Sequence, residues 1–208
     1  MLVAGCGSSS SSHAQSSREL ALERAQFAQV SSQLSDLEGA VKREVAASRE
    51  AWPRIADGLP QTPPSRLRAA VSAASAGAKT LSEPSFLANA HKLTGPAAGV
   101  AGIYQNYEQL AQRGWNLTEA TIDAIANRPA AVASFERANS ALYIDAIYDA
   151  HFDLSLLGKS LLSGYEKLGG PQAFGSVPTQ AQVKALAEFY SIPVVRLEPH
   201  PTGAAKDG

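Results

Sequence analysis

The residues best placed to do chemistry lie in one stretch, 143–154, which reads "YIDAIYDAHFDL". Asp145, Asp149 and Asp153 recur every four residues, so on a helix they stack along one face. Like charges at that spacing cost a few tenths of a kcal/mol per pair unless something compensates. Two compensations are open. A cation or polar ligand could sit among the carboxylates, or basic residues such as Arg43, Arg49, Lys92 or Arg113 could pair with them from other helices. Asp153 falls toward the apolar arc of its segment, where an unpaired carboxylate is expensive. His151 is two residues from both Asp149 and Asp153, which turns it nearly the opposite way, so one helix cannot offer all three to a metal. His13, His91, His151 and His200 have no metal-ligand spacing, and no metal or cofactor is expected.

A second set of candidates is aromatic. Tyr104, Tyr107 and Tyr148 fall in helical segments and could line a ligand pocket against the small residues Ala97 to Gly102. Tyrosines in such positions more often bury the ring and leave the hydroxyl wet. The Gly95, Gly99 and Gly102 pattern is expected to let two helices approach closely. Gly158-Lys159-Ser160 ends like a phosphate-binding loop, but Asp153 stands where the first glycine is needed and no strand precedes it. The sequence contains no HExxH, CxxC, GxSxG or GxGxxG stretch.

These residues need a frame, and the sequence supplies a helical one. The pattern predicts an all-α fold: a helical bundle built on two long antiparallel helices with several shorter ones around them. Leu20, Phe27, Leu34, Val41 and Ile55 fall on a seven-residue repeat, with Ser48 in the gap, and Val30, Leu37 and Ala51 form a second seam. After Ser16-Ser17, a good N-cap pair, this predicts a helix from Ser17 to Trp52, stopping before Pro53. Thr62 caps a second helix ending near Gly77. A short one covers Pro84 to Leu93. Gly95-Pro96 opens another that ends at Gly114, and Thr118 caps a further short helix to Asn127. Pro129 opens the second long helix, which runs to Leu168 and stops at Gly169-Gly170-Pro171. It is apolar around much of its circumference and should be central, packed on the first. Thr179 caps a last helix to Tyr190, and Pro193 to Leu197 reads as extended. The domains are therefore a serine-rich, disordered tether over 1–16, one helical bundle over 17–198 and a disordered tail over 199–208.

Composition narrows the function classes. In 208 residues the net charge is −1, which offers no bulk field for nucleic acid or an anionic membrane. One cysteine, Cys6, excludes an intrachain disulfide and a four-cysteine zinc site. No run approaches the roughly 18 apolar residues needed to span a bilayer.

That cysteine closes the stretch Val3-Ala4-Gly5-Cys6 and is followed by Gly7 and five serines. The stretch resembles the lipobox of bacterial lipoproteins, in which an apolar residue and two small ones end a signal peptide just before the lipidated cysteine. Small residues suit a peptidase that needs a narrow, extended substrate, and the serines suit a flexible tether. The resemblance covers about a dozen residues. It implies acyl chains on Cys6, a basic and apolar run ahead of Leu2, and attachment to the extracytoplasmic face of the cell envelope. The expected function is a non-catalytic envelope lipoprotein, a helical binding or scaffolding module for an envelope protein or small ligand. The alternatives are a ligand- or metal-dependent protein or enzyme with its site around Asp145, Asp149 and Asp153, and a cytoplasmic helical adaptor.

Overall fold

The computed structural model describes residues 9–46, 72, 75–76, 80–127, 132–175 and 178–191. Among the described residues every regular element is helical, so the chain is all-α. The elements are α1 (Ser9–Asp36), its continuation over 38–46, α2 (Ser85–Ala88) with a 3-10 turn at Ala90–Lys92, α3 (Gly95–Asn127), α4 (Val132–Lys167), α5 (Gly170–Phe174) and α6 (Gln180–Tyr190). Of the helix expected from Thr62, only 72 and 75–76 are described, and they are helical. The rest of it, the extended Pro193–Leu197 and the tail over 199–208 lie outside the described residues, as do Cys6 and the segment joining Ala46 to Trp52.

Two boundaries differ from the sequence reading. α1 begins at Ser9 and passes through Ser16-Ser17 without a break, so helix occupies half of the stretch expected to be tether. Serine is a middling helix former, and extending an existing helix costs far less than starting one. Likewise α3 does not stop at Gly114 or restart at Thr118 but runs unbroken for 33 residues. Gly114 and Trp115 are both buried there, and packing along the whole length outweighs the local stop signals.

The pairing at the centre of the bundle also needs correcting. α4 is central as expected, but its most extensive partner is α3, not α1. At 33 and 36 residues these two helices each span roughly 50 Å. Joined by the short connection 128–131, they form an antiparallel hairpin: a methyl placed on Gly164, near the end of α4, would sit 3.0 Å from Cβ of Pro96, at the start of α3. α1 lies along this hairpin, parallel to α3. Gln26 bonds to the Lys92 carbonyl and the Thr94 N–H at one end, while Glu44 meets Tyr107 and Trp115 at the other. Arg24 Nε donates to the Leu168 carbonyl at 2.9 Å, tying α1 to the end of α4.

The core follows from the helical stripes. Phe27, Leu34 and Val41 of the seven-residue repeat and Val30 of the second seam are fully buried, in one core with Val100, Tyr104 and Ala111 of α3 and Leu154, Leu157 and Leu161 of α4. Leu20, at the outer end of the repeat, is exposed. Gly169 ends α4 in the left-handed region at φ 103°, a conformation that favours glycine. Phe174 of α5 then folds back to stack on Tyr165 at 5.1 Å and to touch Phe27, closing that end of the core. α6 opens at the cap expected at Thr179, and the structure makes it a full capping box: the Thr179 hydroxyl accepts from Gln182 N–H, and the Gln182 side chain accepts from Thr179 N–H.

Candidate functional site

The acidic face of α4 does not form a closed site. Asp149 is exposed and Asp153 is half-buried, while Asp145 lies in α4 with its side chain outside the described residues. Burial, reinforced by the charge of Asp149, raises the Asp153 carboxyl above the usual aspartate range. No described basic side chain pairs with Asp149 or Asp153, so Arg43, Lys92 and Arg113 do not neutralise them; Arg49 is outside the described residues. Among the described residues no group of three His, Cys, Asp or Glu side chains could hold a metal ion. His151 is buried at 1% exposure while Asp149 faces solvent, the divergence that their spacing requires.

The three candidate tyrosines do not share a pocket. Tyr148 is 40% exposed, whereas Tyr104 and Tyr107 are completely buried, hydroxyls included. The expectation of wet hydroxyls fails because each finds a partner inside. Tyr104 Oη donates to the Leu81 carbonyl at 2.9 Å, and Tyr107 Oη donates to Glu44 Oε2 at 2.9 Å. Burial comes first in raising both phenols well above their ordinary range, and the carboxylates of Glu44 and, for Tyr104, Glu108 add to it. Nor do Gly99 and Gly102 bring helices together. Both are exposed, and a methyl on either would meet open space. Gly95, at the start of α3, does lie against the Glu23 side chain of α1, and further close approaches are on α4. A methyl on Gly164 would lie 2.7 Å from the Phe27 ring, and one on Gly158 would collide with the Ala187 carbonyl and the Ser191 hydroxyl at the end of α6.

The interior holds a polar cluster absent from the candidate list. Glu44, fully buried in the continuation of α1, accepts from Tyr107 through Oε2 and from the Trp115 indole N–H through Oε1 at 3.3 Å. Its position is the signal that could have found it. In the seam Val30, Leu37, Ala51, the member seven residues after Leu37 is Glu44, a carboxylate where an apolar side chain belongs. Tyr107 and Trp115 lie two turns apart on the facing side of α3, at the right spacing to grip both carboxylate oxygens. A second tie joins α6 to α1: Tyr190 Oη donates to the Leu34 carbonyl at 2.6 Å. That carbonyl also accepts from Leu37 N–H, which is shared with Gln33, so the tie falls where the ladder of α1 is irregular.

Between α1 and α6 runs a groove of about 220 Å³ that no sequence pattern announced. Ser31, Ser32, Ser35 and Asp36 form one wall, and Pro178, Val183 and Leu186 contribute to the other. Ser31 is only 4% exposed, and its hydroxyl has no hydrogen-bond partner. Comparison with family models, with curated proteins and with solved structures gives no match to this chain.

Proposed function

We propose that this chain is a non-catalytic helical binding or scaffolding module, lipid-anchored through Cys6 at the extracytoplasmic face of a bacterial cell envelope. The observation that carries the scaffolding half is the use made of the interior polar groups. Glu44, Tyr107 and Trp115 join α1 to α3, Tyr104 holds the Leu81 carbonyl, and Tyr190 joins α6 to α1. Side chains that could have served a substrate are spent on holding helices in register. The lipobox-like Val3-Ala4-Gly5-Cys6 and the serines after it support the location. No described helix is long and apolar enough to cross a membrane, so attachment would rest on acyl chains. Two chains hold stably where one holds only marginally.

The test is membrane fractionation of the chain produced in bacteria with its natural upstream sequence. Wild type should sediment with membranes and partition into detergent, and Cys6→Ser should leave it in the aqueous phase. Equal membrane association of the two would overturn the anchor.

A further inference from the structure

We infer that the groove between α1 and α6 is a binding site for a small organic ammonium, a primary amine with a short apolar body. The first observation is Ser31. A serine within a helix normally returns its hydroxyl to the carbonyl one turn back or gives it to water. Ser31 does neither: it lines the groove, is 4% exposed, and its Oγ has no hydrogen-bond partner. A buried hydroxyl left unsatisfied is costly, and a ligand able to bond it recovers that cost on binding.

The second observation is the chemistry around it. Among the described residues Asp36 is the only charged one of the lining, and no described basic side chain lines the groove across from it. Ser32 and Ser35 add hydroxyls that can accept from an ammonium; both precede Asp36 on the same wall, Ser32 by one helical turn and Ser35 as its neighbour in the chain. Across the groove Pro178, Val183 and Leu186 present apolar surface suited to a hydrocarbon body. Gln182 is held in place there, because its Oε1 accepts from Thr179 N–H at 2.8 Å. An anion would face Asp36 with no described basic side chain of the lining to offset the repulsion. The volume of about 220 Å³ equals roughly seven liquid waters at ~30 Å³ each, enough for an amine of butyl length. Occupancy does not depend on lipidation of Cys6.

The test is titration of the isotopically labelled full chain, followed by amide NMR shifts. n-Butylammonium chloride is the probe, with n-butanol and sodium butyrate at matched ionic strength as comparisons. Butylammonium should give saturable shifts confined to the amides of 31–36 and 182–186, and neither comparison should. Asp36→Asn should weaken binding by about tenfold, the difference between a charge-assisted and a neutral hydrogen bond. Ser31→Ala should weaken it by about two- to tenfold while leaving the melting temperature unchanged or higher, since it removes an unpaired hydroxyl. No saturable shift with butylammonium, an equal response to butanol or butyrate, or unchanged affinity in Asp36→Asn would each overturn the assignment.

Discussion

The same substitution at two helical glycines should have opposite effects. Gly102 and Gly158 both sit inside long helices and neither has a positive φ, so alanine suits either backbone. On propensity alone each change should stabilise by about 1 kcal/mol. At Gly102 nothing lies within 4 Å of the added methyl, and the gain should appear in full. At Gly158 the methyl would run into the Ala187 carbonyl and the Ser191 hydroxyl and would lie 2.8 Å from Ser191 N. Two of these three atoms are backbone and cannot rotate aside. Ser191 is further fixed by its own bonds to the Ala187 carbonyl, from N–H at 3.0 Å and from Oγ at 2.7 Å. The end of α6 would have to lift from α4. Overpacking of this kind costs about 1–3 kcal/mol, and backbone obstacles place it at the upper end, leaving a net loss of about 2 kcal/mol. Thermal and urea unfolding followed by far-ultraviolet circular dichroism would read both. Gly102→Ala should raise Tm by roughly 2–4 °C and Gly158→Ala should lower it by roughly 4–8 °C. Equal stabilisation by the two would refute the close seating of α6 on α4.

Three further outcomes are expected. Tyr190→Phe keeps the ring and removes the bond to the Leu34 carbonyl, so it should cost about 1 kcal/mol in urea unfolding; no loss would mean that this tie contributes nothing. Glu108 is 7% exposed, and burial raises its carboxyl above the usual range. A carboxyl whose folded pKa is raised favours the folded state at acid pH, and that advantage is lost as pH rises through the folded value. Glu108→Gln should therefore match wild type near about pH 4 and exceed it increasingly toward neutrality, and a Gln variant less stable than wild type at neutral pH would contradict this. Asp153 carries the same sign, so Asp153→Asn should stabilise at neutral pH, and added divalent cations should leave the wild-type melting temperature unchanged. A cation-dependent rise that Asp149→Asn abolishes would instead establish a metal site on α4.

The parts of the fold legible in the sequence were those written in periodicity and capping. The repeat of Phe27, Leu34 and Val41 gave a buried stripe, and Thr179 gave a capped helix, because both signals are local and agree with the packing. The partner of α4 was less legible. α1 and α3 both carry apolar stripes, and the stop signals at Gly114 and Thr118 disguised α3 as two short helices. Glycine patterns misled for a related reason. Spacing shows which glycines share a face, as Gly95, Gly99 and Gly102 do, but not how far another helix lies over that face: only Gly95 meets α1, through Glu23, while Gly99 and Gly102 face open space. Among the candidate site residues, the divergence of His151 from Asp149 followed from helical geometry alone. The burial of Tyr104 and Tyr107 did not, because it depends on Leu81 and Glu44, 23 and 63 residues away along the chain. The groove at Ser31 is formed by segments about 150 residues apart, and no local pattern encodes it.

The reading of this chain as an anchored envelope module rests most directly on Cys6, and mass spectrometry of the mature N-terminal peptide addresses it. The chain should be produced with its natural upstream sequence in a bacterial host and isolated from the membrane fraction. The account predicts a peptide that begins at Cys6 and carries a diacylglycerol in thioether linkage to Sγ. A mature peptide that begins ahead of Cys6 and retains a free thiol would contradict it.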